Sequence, residues 1–189
     1  MTRELLRSTL AETIALHQTV MEGDLAPVFA AAAAIAGAVN AGGKVLLFGN
    51  GGSAADAQHA AAELVGRFER DRRAIAAIAL TADTSVLTSV GNVYGYERVF
   101  ARQVEALGAR GDVAFGISTS GASSNVVAAL AAASARGLTA VALTGRDGGA
   151  VGRAAAIHIN VPSGSTARVQ EVHRTLLHVV CDLVERACS

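Results

Sequence analysis

The stretch from Lys44 to Phe68, KVLLFGNGGSAADAQHAAAELVGRF, sets the fold of this chain. It opens with an apolar run that predicts a strand, turns at residues 49–53 (GNGGS) and continues as an alanine-rich helix. A fully apolar strand that leads through a glycine loop into a helix is typical of a parallel sheet covered by helices. The helix also carries His59 and Glu63, which are four residues apart and therefore lie on one face.

Similar apolar runs recur along the chain, with helical stretches between them. The runs that predict strands lie at 44–48, 75–80, 113–117, 139–143 and 157–161. The helical stretches lie at roughly 2–22, 25–41, 54–69, 84–107 with a break around Gly91 and Gly95, 122–136, 148–154 and 166–187. We therefore expect an α/β fold, with a five-stranded parallel sheet flanked by helices on both faces as in a Rossmann-like three-layer sandwich.

We expect one domain over residues 1–189, because the chain is long enough for one full core and two domains would be cramped. A helical pair at about 2–41 precedes the sheet core at about 44–161, and a C-terminal helix follows at about 166–187. The hydrophobic fraction of 51% against 17% charged residues indicates that further copies of the chain cover part of the apolar surface.

The charge balance gives no electrostatic reason to expect nucleic acid or an anionic membrane as a partner, since 16 basic and 16 acidic residues cancel. The apolar runs are too short and too alanine-rich for a membrane span, and no secretory signal opens the chain. Cys181 and Cys188 would lie about 10 Å apart on one helix, too far for a disulfide bond. These features predict a cytoplasmic protein with two reduced thiols.

Two strand-to-helix loops carry groups that bind phosphate and sugar hydroxyls. Residues 49–53 combine glycines with helix N-terminal amides, and residues 118–124 (STSGASS) add several hydroxyls. Together they predict a cradle for a sugar phosphate. The alternative is that both are ordinary turns with serine caps.

A dinucleotide site is the less favoured alternative for the first loop. Gly49, Gly51 and Ala54 fit the G-x-G-x-x-A spacing after a strand. The motif also needs an acidic residue about 20 positions later, at the end of the second strand. Neither candidate stands there, because Asp71 precedes the second strand and Asp83 follows it.

The terminal helix carries further polar side chains among apolar ones. Gln170 and His178 are eight residues apart, about 80° around a helix, so they can face one cavity. His173 lies to the other side of Gln170 and is either an outer partner of the site or structural. With His59 and Glu63, these residues can bind a divalent metal or transfer protons.

These motifs resemble one known family. The segments GNGGSAADAQHAAAEL, GISTSGASSNVV, ALTGRDGG and VPSGSTARVQEVHRTLLHVVCDLVE are similar to the sugar isomerase (SIS) domain, and more narrowly to phosphoheptose isomerases. The resemblance covers nearly the whole chain in the right order. It implies interconversion of sedoheptulose 7-phosphate and D-glycero-D-manno-heptose 7-phosphate, the first step toward activated heptose.

The resemblance also implies a homotetramer with sites between subunits and one zinc ion per subunit. The residues that match the family's metal positions are His59, Glu63, Gln170 and His178. The residues that match its substrate positions are Asn50, Gly51, Gly52, Ser53, Glu63, Asn92, Val93, Ser118, Thr119, Ser120, Ser123 and Gln170. We expect Glu63 to act as the base at carbon and His178 as the acid, with zinc polarising the substrate oxygens.

Two departures from the family pattern leave other functions open. The family commonly has Gly-Asn-Asp where this chain has Gly91-Asn92-Val93, and Asp-Thr where it has Ser165-Thr166. The alternatives are an isomerase of another phosphosugar, a sugar-phosphate sensor, and a non-catalytic protein that binds the bacterial replication initiator. Glu63 and His178 are both present, which favours the enzyme over the protein-binding relative.

Overall fold

The computed structural model describes residues 2–188. The strands are β1 (Val45–Gly49), β2 (Ala77–Ala79), β3 (Val113–Ser118), β4 (Thr139–Gly145) and β5 (Ile157–Val161). The helices are α1 (Thr2–Met21), α2 (Ala26–Asn40), α3 (Gly52–Val65), α4 (Thr84–Tyr94), α5 (Ala101–Leu107), α6 (Ser124–Ala135), α7 (Gly149–Arg153) and α8 (Thr166–Cys188). All neighbouring strands are parallel, in the order β2-β1-β3-β4-β5, which confirms the predicted five-stranded parallel sheet.

Helices cover both faces of the sheet because successive strand residues point to opposite faces. Val45 and Leu47 of β1 pack into a core with α2, α3 and α8. Leu46 and Phe48 pack into a second core with α5 and α6. The result is the predicted three-layer sandwich, with α1 packed outside against α8.

The glycine in the middle of α4 does not break the helix. The chain stays helical through Gly91 to Tyr94, because a side chain there would meet only ordinary contacts. The break lies at Gly95, whose φ of +86° interrupts the helix before a short 3₁₀ turn, Tyr96–Arg98. The predicted break at Gly95 is confirmed and the one at Gly91 is wrong.

Two further boundaries differ from the expectation. The second strand is ladder-paired only at Ala77–Ala79, although the flanking Ile75 and Leu80 are buried as its apolar run predicts. The helix after β1 ends at Val65 and not near residue 69, because the segment from Gly66 onward turns to contact α8. Apolar pattern marks which residues are buried and not where ladder pairing stops.

The strand order places a switch point between β1 and β3. These strands are neighbours, paired from Val45↔Val113 to Gly49↔Ile117, yet α3 follows β1 on one face and α6 follows β3 on the other. Loops that diverge from adjacent strand ends leave a crevice between them, where α/β proteins bind ligands. The two loops singled out from the sequence are the ones at this point.

Across residues 2–188, no single helix is long and apolar enough to cross a membrane; α1 and α2 pass that test only as a pair, bent by 77°. Cys181 and Cys188 are free and buried, as predicted, and burial raises the pKa of the Cys181 thiol to about 12.

A buried carboxylate, Asp112, joins β1 and β3 at their N-terminal ends, opposite the two loops. Asp112 is 2% exposed and accepts hydrogen bonds from the Lys44 and Ala109 amides, each at 2.9 Å, and from Lys44 Nζ at 2.6 Å. Burial alone would raise the pKa of Asp112, but these donors outweigh it and lower that pKa. Asp112 therefore ties the start of β3 to the start of β1.

We expect Asp112→Asn to lower the free energy of unfolding at pH 7 by about 2 kcal/mol, because the charge on a well-bonded buried carboxylate is lost. The folded-state pKa lies below the ordinary value of 3.8, so this stabilisation is present above that pH and is lost as the pH falls through the folded-state pKa. Urea unfolding at pH 7 and pH 3 measures it, and the difference between variant and wild type should shrink at pH 3. An equal difference at both pH values would contradict this account.

Candidate active site

The two loops at the switch point are joined by a pair of side-chain amides. Asn50 Nδ2 donates to Asn125 Oδ1 at 2.9 Å, and Asn125 Nδ2 donates to Asn50 Oδ1 at 2.8 Å. Asn125 is 3% exposed and lies in the first turn of α6. This reciprocal pair fixes the spacing of the loops at residues 49–53 and 118–124.

The hydroxyls of the second loop are close to one another. Ser118 Oγ lies 2.9 Å from Ser123 Oγ and 3.4 Å from Ser120 Oγ. Thr119 is half-buried in the same loop, while Ser53 is buried in the first turn of α3. The hydroxyls of the second loop therefore form a cluster, with Ser53 on the neighbouring loop and helix.

The helices that leave these loops do not use serine caps. Neither α3, which starts after Gly51, nor α6, which starts after Ser123, receives a side-chain cap hydrogen bond in the described chain. The Ser123 hydroxyl faces Ser118 and does not cap its own helix. This observation disfavours the interpretation of both loops as ordinary serine-capped turns.

Gln170 lies against the first loop. A Cβ on Gly52 would overlap the Gln170 side-chain amide, with the amide Cδ only 2.9 Å away. A larger residue at position 52 would therefore displace the Gln170 side chain from the first loop. Gln170, Gly52 and Arg174 line the same cavity, so Gln170 is placed where a ligand of the first loop would contact it.

His59, Glu63 and His178 come together at the far end of α3. His59 Nε2 lies 2.8 Å from His178 Nε2 and 3.5 Å from Glu63 Oε1. All three side chains are partly buried, and the Phe68 ring packs against the His178 ring with centroids 5.4 Å apart. Burial and the neighbouring His59 lower the pKa of His178, so its neutral ring predominates at pH 7.

The donor chemistry of this cluster fits zinc. Two imidazole nitrogens and a carboxylate are ligands that zinc prefers. The 2.8 Å between the two Nε2 atoms is a hydrogen-bond length, whereas two ligands of a tetrahedral zinc ion are about 3.3 Å apart. Among residues 2–188, the structure contains no group of three or more His, Cys, Asp or Glu side chains arranged as a metal site.

Gln170 is not part of that cluster within one chain. Gln170 and His178 are two turns apart on α8, about 12 Å along the helix axis at 1.5 Å per residue. The residues expected to bind metal therefore fall into two groups, His59, Glu63 and His178 in one and Gln170 in the other. Within one chain, Gln170 lies against Gly52 of the first loop and His178 lies beside His59.

Asn92 and Val93 lie in the last turn of α4, and both are exposed, Val93 by 63%. The segment approaches the first loop through Tyr96, whose hydroxyl donates to Asn50 Oδ1 at 3.4 Å. The position expected to contact substrate is thus at the rim of the crevice and presents an apolar side chain.

His173 has a structural role. It is fully buried, and its Nε2 lies 3.0 Å from the carbonyl oxygen of Thr144 in β4. Burial lowers the pKa of His173, so it is a neutral donor to that carbonyl. Of the two readings that the sequence left open, the structure favours the structural one.

Sequence analysis missed Asn125, Tyr96 and Phe68. Asn125 follows the serine loop directly, so an amide in that position was an available signal. Tyr96 and Phe68 gain their importance from contacts across the fold, which no local pattern indicates.

Comparisons with known proteins agree with this geometry. The family described as SIS domain matches residues 10–145. The phosphoheptose isomerase of Geobacter metallireducens is 55% identical over 174 residues, which are 90% of this chain and 92% of that protein. The one from Aquifex aeolicus is 61% identical over 151 residues, 80% of this chain and 79% of that protein.

The solved structure of phosphoheptose isomerase from Neisseria gonorrhoeae is similar throughout. Its TM-score is 0.93 at 44% identity, and the match covers 98% of this chain and 100% of that one. The chain therefore belongs to the SIS-domain family, in the branch of the phosphoheptose isomerases.

Proposed function

We propose that this protein interconverts sedoheptulose 7-phosphate and D-glycero-D-manno-heptose 7-phosphate through an enediol. The observation that carries the proposal is that His59 lies close to both Glu63 and His178. His59 and Glu63 lie on α3, the helix that begins at the first loop. Family membership supports sugar-phosphate isomerase chemistry in general, and the two loops suit its substrate.

The phosphate and hydroxyl groups of the substrate are assigned to the loops. The uncapped N-termini of α3 and α6 favour an anion, and the hydroxyls of Ser118, Ser120 and Ser123 can donate to phosphate oxygens. Asn50 and Gln170 can bond sugar hydroxyls from the same side. None of this requires a lysine, and Lys44, the chain's only lysine, is committed to Asp112.

Glu63 and His178 divide the proton transfers. Starting from the ketose, Glu63 removes a proton from C1 and returns it to C2. His178 donates a proton to the C2 oxygen as the enediol forms and then accepts the proton of the C1 hydroxyl as the aldehyde forms. A neutral imidazole is suited to this role because it donates one proton and can accept another.

Zinc would be held by His59, Glu63 and His178, whose donor atoms fit it. When bound, the ion polarises the substrate oxygens and stabilises the negative charge of the enediolate. Glu63 and His178 carry out the proton transfers described above with that ion beside them.

A second copy of the chain would complete the site. Gln170 and His178 of one chain are about 12 Å apart along α8, too far to bind one ion whose ligands lie about 2 Å away. All four proposed ligands can serve one ion only if Gln170 comes from a neighbouring subunit. Exposed apolar side chains along α1, among them Leu6, Leu10 and Ile14, favour such association, and we propose a homotetramer.

A different phosphosugar is the alternative substrate, and Val93 is the observation that favours it. Its exposed apolar side chain offers no hydrogen bond at the rim of the crevice, where the family pattern has a carboxylate. Turnover of a shorter ketose phosphate in preference to the heptulose would support that alternative.

We expect Glu63→Gln and His178→Gln each to lower kcat for sedoheptulose 7-phosphate by about 10²- to 10⁴-fold, since each removes a proton-transfer group. NMR follows aldose formation, and in D₂O it also follows deuterium incorporation at C1, which Glu63→Gln should abolish. Gln58→Ala is the matched control on α3, because Gln58 contacts Thr81 and not the cluster. Unchanged turnover in Glu63→Gln would exclude Glu63 as the base.

Mixing inactive variants tests the shared site. Gln170→Ala and His178→Gln should each be inactive alone, but unfolding and refolding them together should restore about a quarter of the wild-type activity if the two residues come from different subunits. Light scattering measures the size of the assembly. Absence of any recovery in mixed assemblies would show that each site lies within one chain.

A further inference from the structure

A buried ion pair connects the two helices that carry the proposed acid and base. The side chains of Arg72 and Glu185 are 1% and 0% exposed, and Arg72 Nε lies 3.3 Å from Glu185 Oε1. Arg72 belongs to the segment that follows α3, and Glu185 lies on α8. Neither residue belongs to the site described above.

The Arg72 end of the pair holds the C-terminus of α3. Its guanidinium donates to the carbonyl oxygen of Glu63 and to that of Gly66, each at 2.9 Å. These are carbonyls of the kind that a helix leaves unpaired at its C-terminus, where a cation also suits the helix dipole. Arg72 thus holds the backbone of Glu63, the proposed base, through the Glu63 carbonyl oxygen.

The Glu185 end of the pair holds the segment after α3 against α8. Its carboxylate accepts three consecutive backbone amides, from Phe68 and Glu69 at 3.0 Å and from Arg70 at 2.8 Å. Burial alone would raise the pKa of Glu185, but the three amides and Arg72 outweigh it, so the pKa is lowered and the group is ionised.

The same contacts reach His178. Phe68, whose amide is held by Glu185, packs its ring against the His178 ring. Glu185 is seven residues, or two turns, beyond His178 on the same side of α8. A continuous set of contacts therefore runs from the Glu63 carbonyl through Arg72 and Glu185 to the ring that backs His178.

We propose that the Arg72–Glu185 pair is a positioning device for the reaction, which sets the separation between Glu63 and His178 without contributing to sugar-phosphate binding. The inference rests on the proposed function. Charge pairs of this kind are costly to bury and can often be replaced by apolar residues without loss of stability, so packing alone does not explain its presence. The hydrogen bonds that Arg72 donates to backbone carbonyls and that Glu185 accepts from backbone amides are directional, so they fix the position of the chain as an apolar contact does not.

The test compares Glu185→Gln with Asp112→Asn. Asp112 is also a buried carboxylate that accepts backbone amides and pairs with a cation, but it lies at the opposite end of the sheet. We expect Glu185→Gln to lower kcat for sedoheptulose 7-phosphate by about 10- to 100-fold with KM changed less than about twofold. Asp112→Asn should lower the melting temperature with kcat within about twofold of wild type.

A kcat for folded Glu185→Gln equal to that of wild type would overturn the proposal, as would an equal loss in Asp112→Asn. Arg72→Met provides a second variant should Glu185→Gln fail to fold, and it should show the same loss of kcat at constant KM. Preserved kcat in Arg72→Met would equally overturn it.

A readout without substrate separates this proposal from the proposed function. Imidazole ¹⁵N NMR of the metal-free wild type should show His59 and His178 joined by a hydrogen bond, and metal-free Glu185→Gln but not metal-free Asp112→Asn should lose it. If the wild type does not isomerise the heptulose, the proposed function fails while this measurement still decides the positioning role. An intact His59–His178 bond in both variants would overturn that role.

Discussion

Adjacent parallel strands β1 and β3 send their helices to opposite faces of the sheet, and the position of every functional group follows from that divergence. The divergence opens the crevice, and it also leaves two loops that must be held at a fixed spacing. The reciprocal amide pair of Asn50 and Asn125 holds them. Because each amide donates once and accepts once, replacing either residue leaves the other with an unmatched donor and acceptor.

Helix length then determines how the chemistry is distributed. The helix α3 begins at the loop and carries His59 and Glu63 about two and three turns further on, while α8 crosses beside it and presents Gln170 in its second turn and His178 near its middle. The rise of a helix is fixed at 1.5 Å per residue, so no side-chain rotation brings Gln170 to His178. The proposed metal site, in which all four residues act together, therefore takes residues from more than one copy of the chain, and the exposed apolar face of α1 is consistent with that arrangement.

The order of strands and helices could be predicted from the sequence because apolar periodicity and glycine loops are local signals. The same signals identified both loops and the pair His59 and Glu63. The short ladder of β2 could not be predicted, since ladder pairing depends on a strand distant in sequence. The continuity of α4 through Gly91 could not be predicted either, since a glycine weakens a helix without necessarily ending it. Residues that act by long-range contact were missed for the same reason. Arg72 and Glu185 are charged side chains whose local pattern favours exposure, yet both are buried through each other and through backbone amides.

The proposed double role of Glu63 has a physical basis in this cluster. A carboxylate that binds a cation is a weaker base, so the two roles compete if one oxygen must serve both. In the structure the two histidines lie within hydrogen-bonding distance of each other, while Glu63 Oε1 stands 3.5 Å from His59. Glu63 is thus the most loosely held member of the cluster at its side chain and, through Arg72, is firmly held at its backbone. A fixed main chain with a carboxylate that accepts no hydrogen bond from the described residues is the arrangement that lets one group approach the histidines or the substrate carbon without a change in the fold.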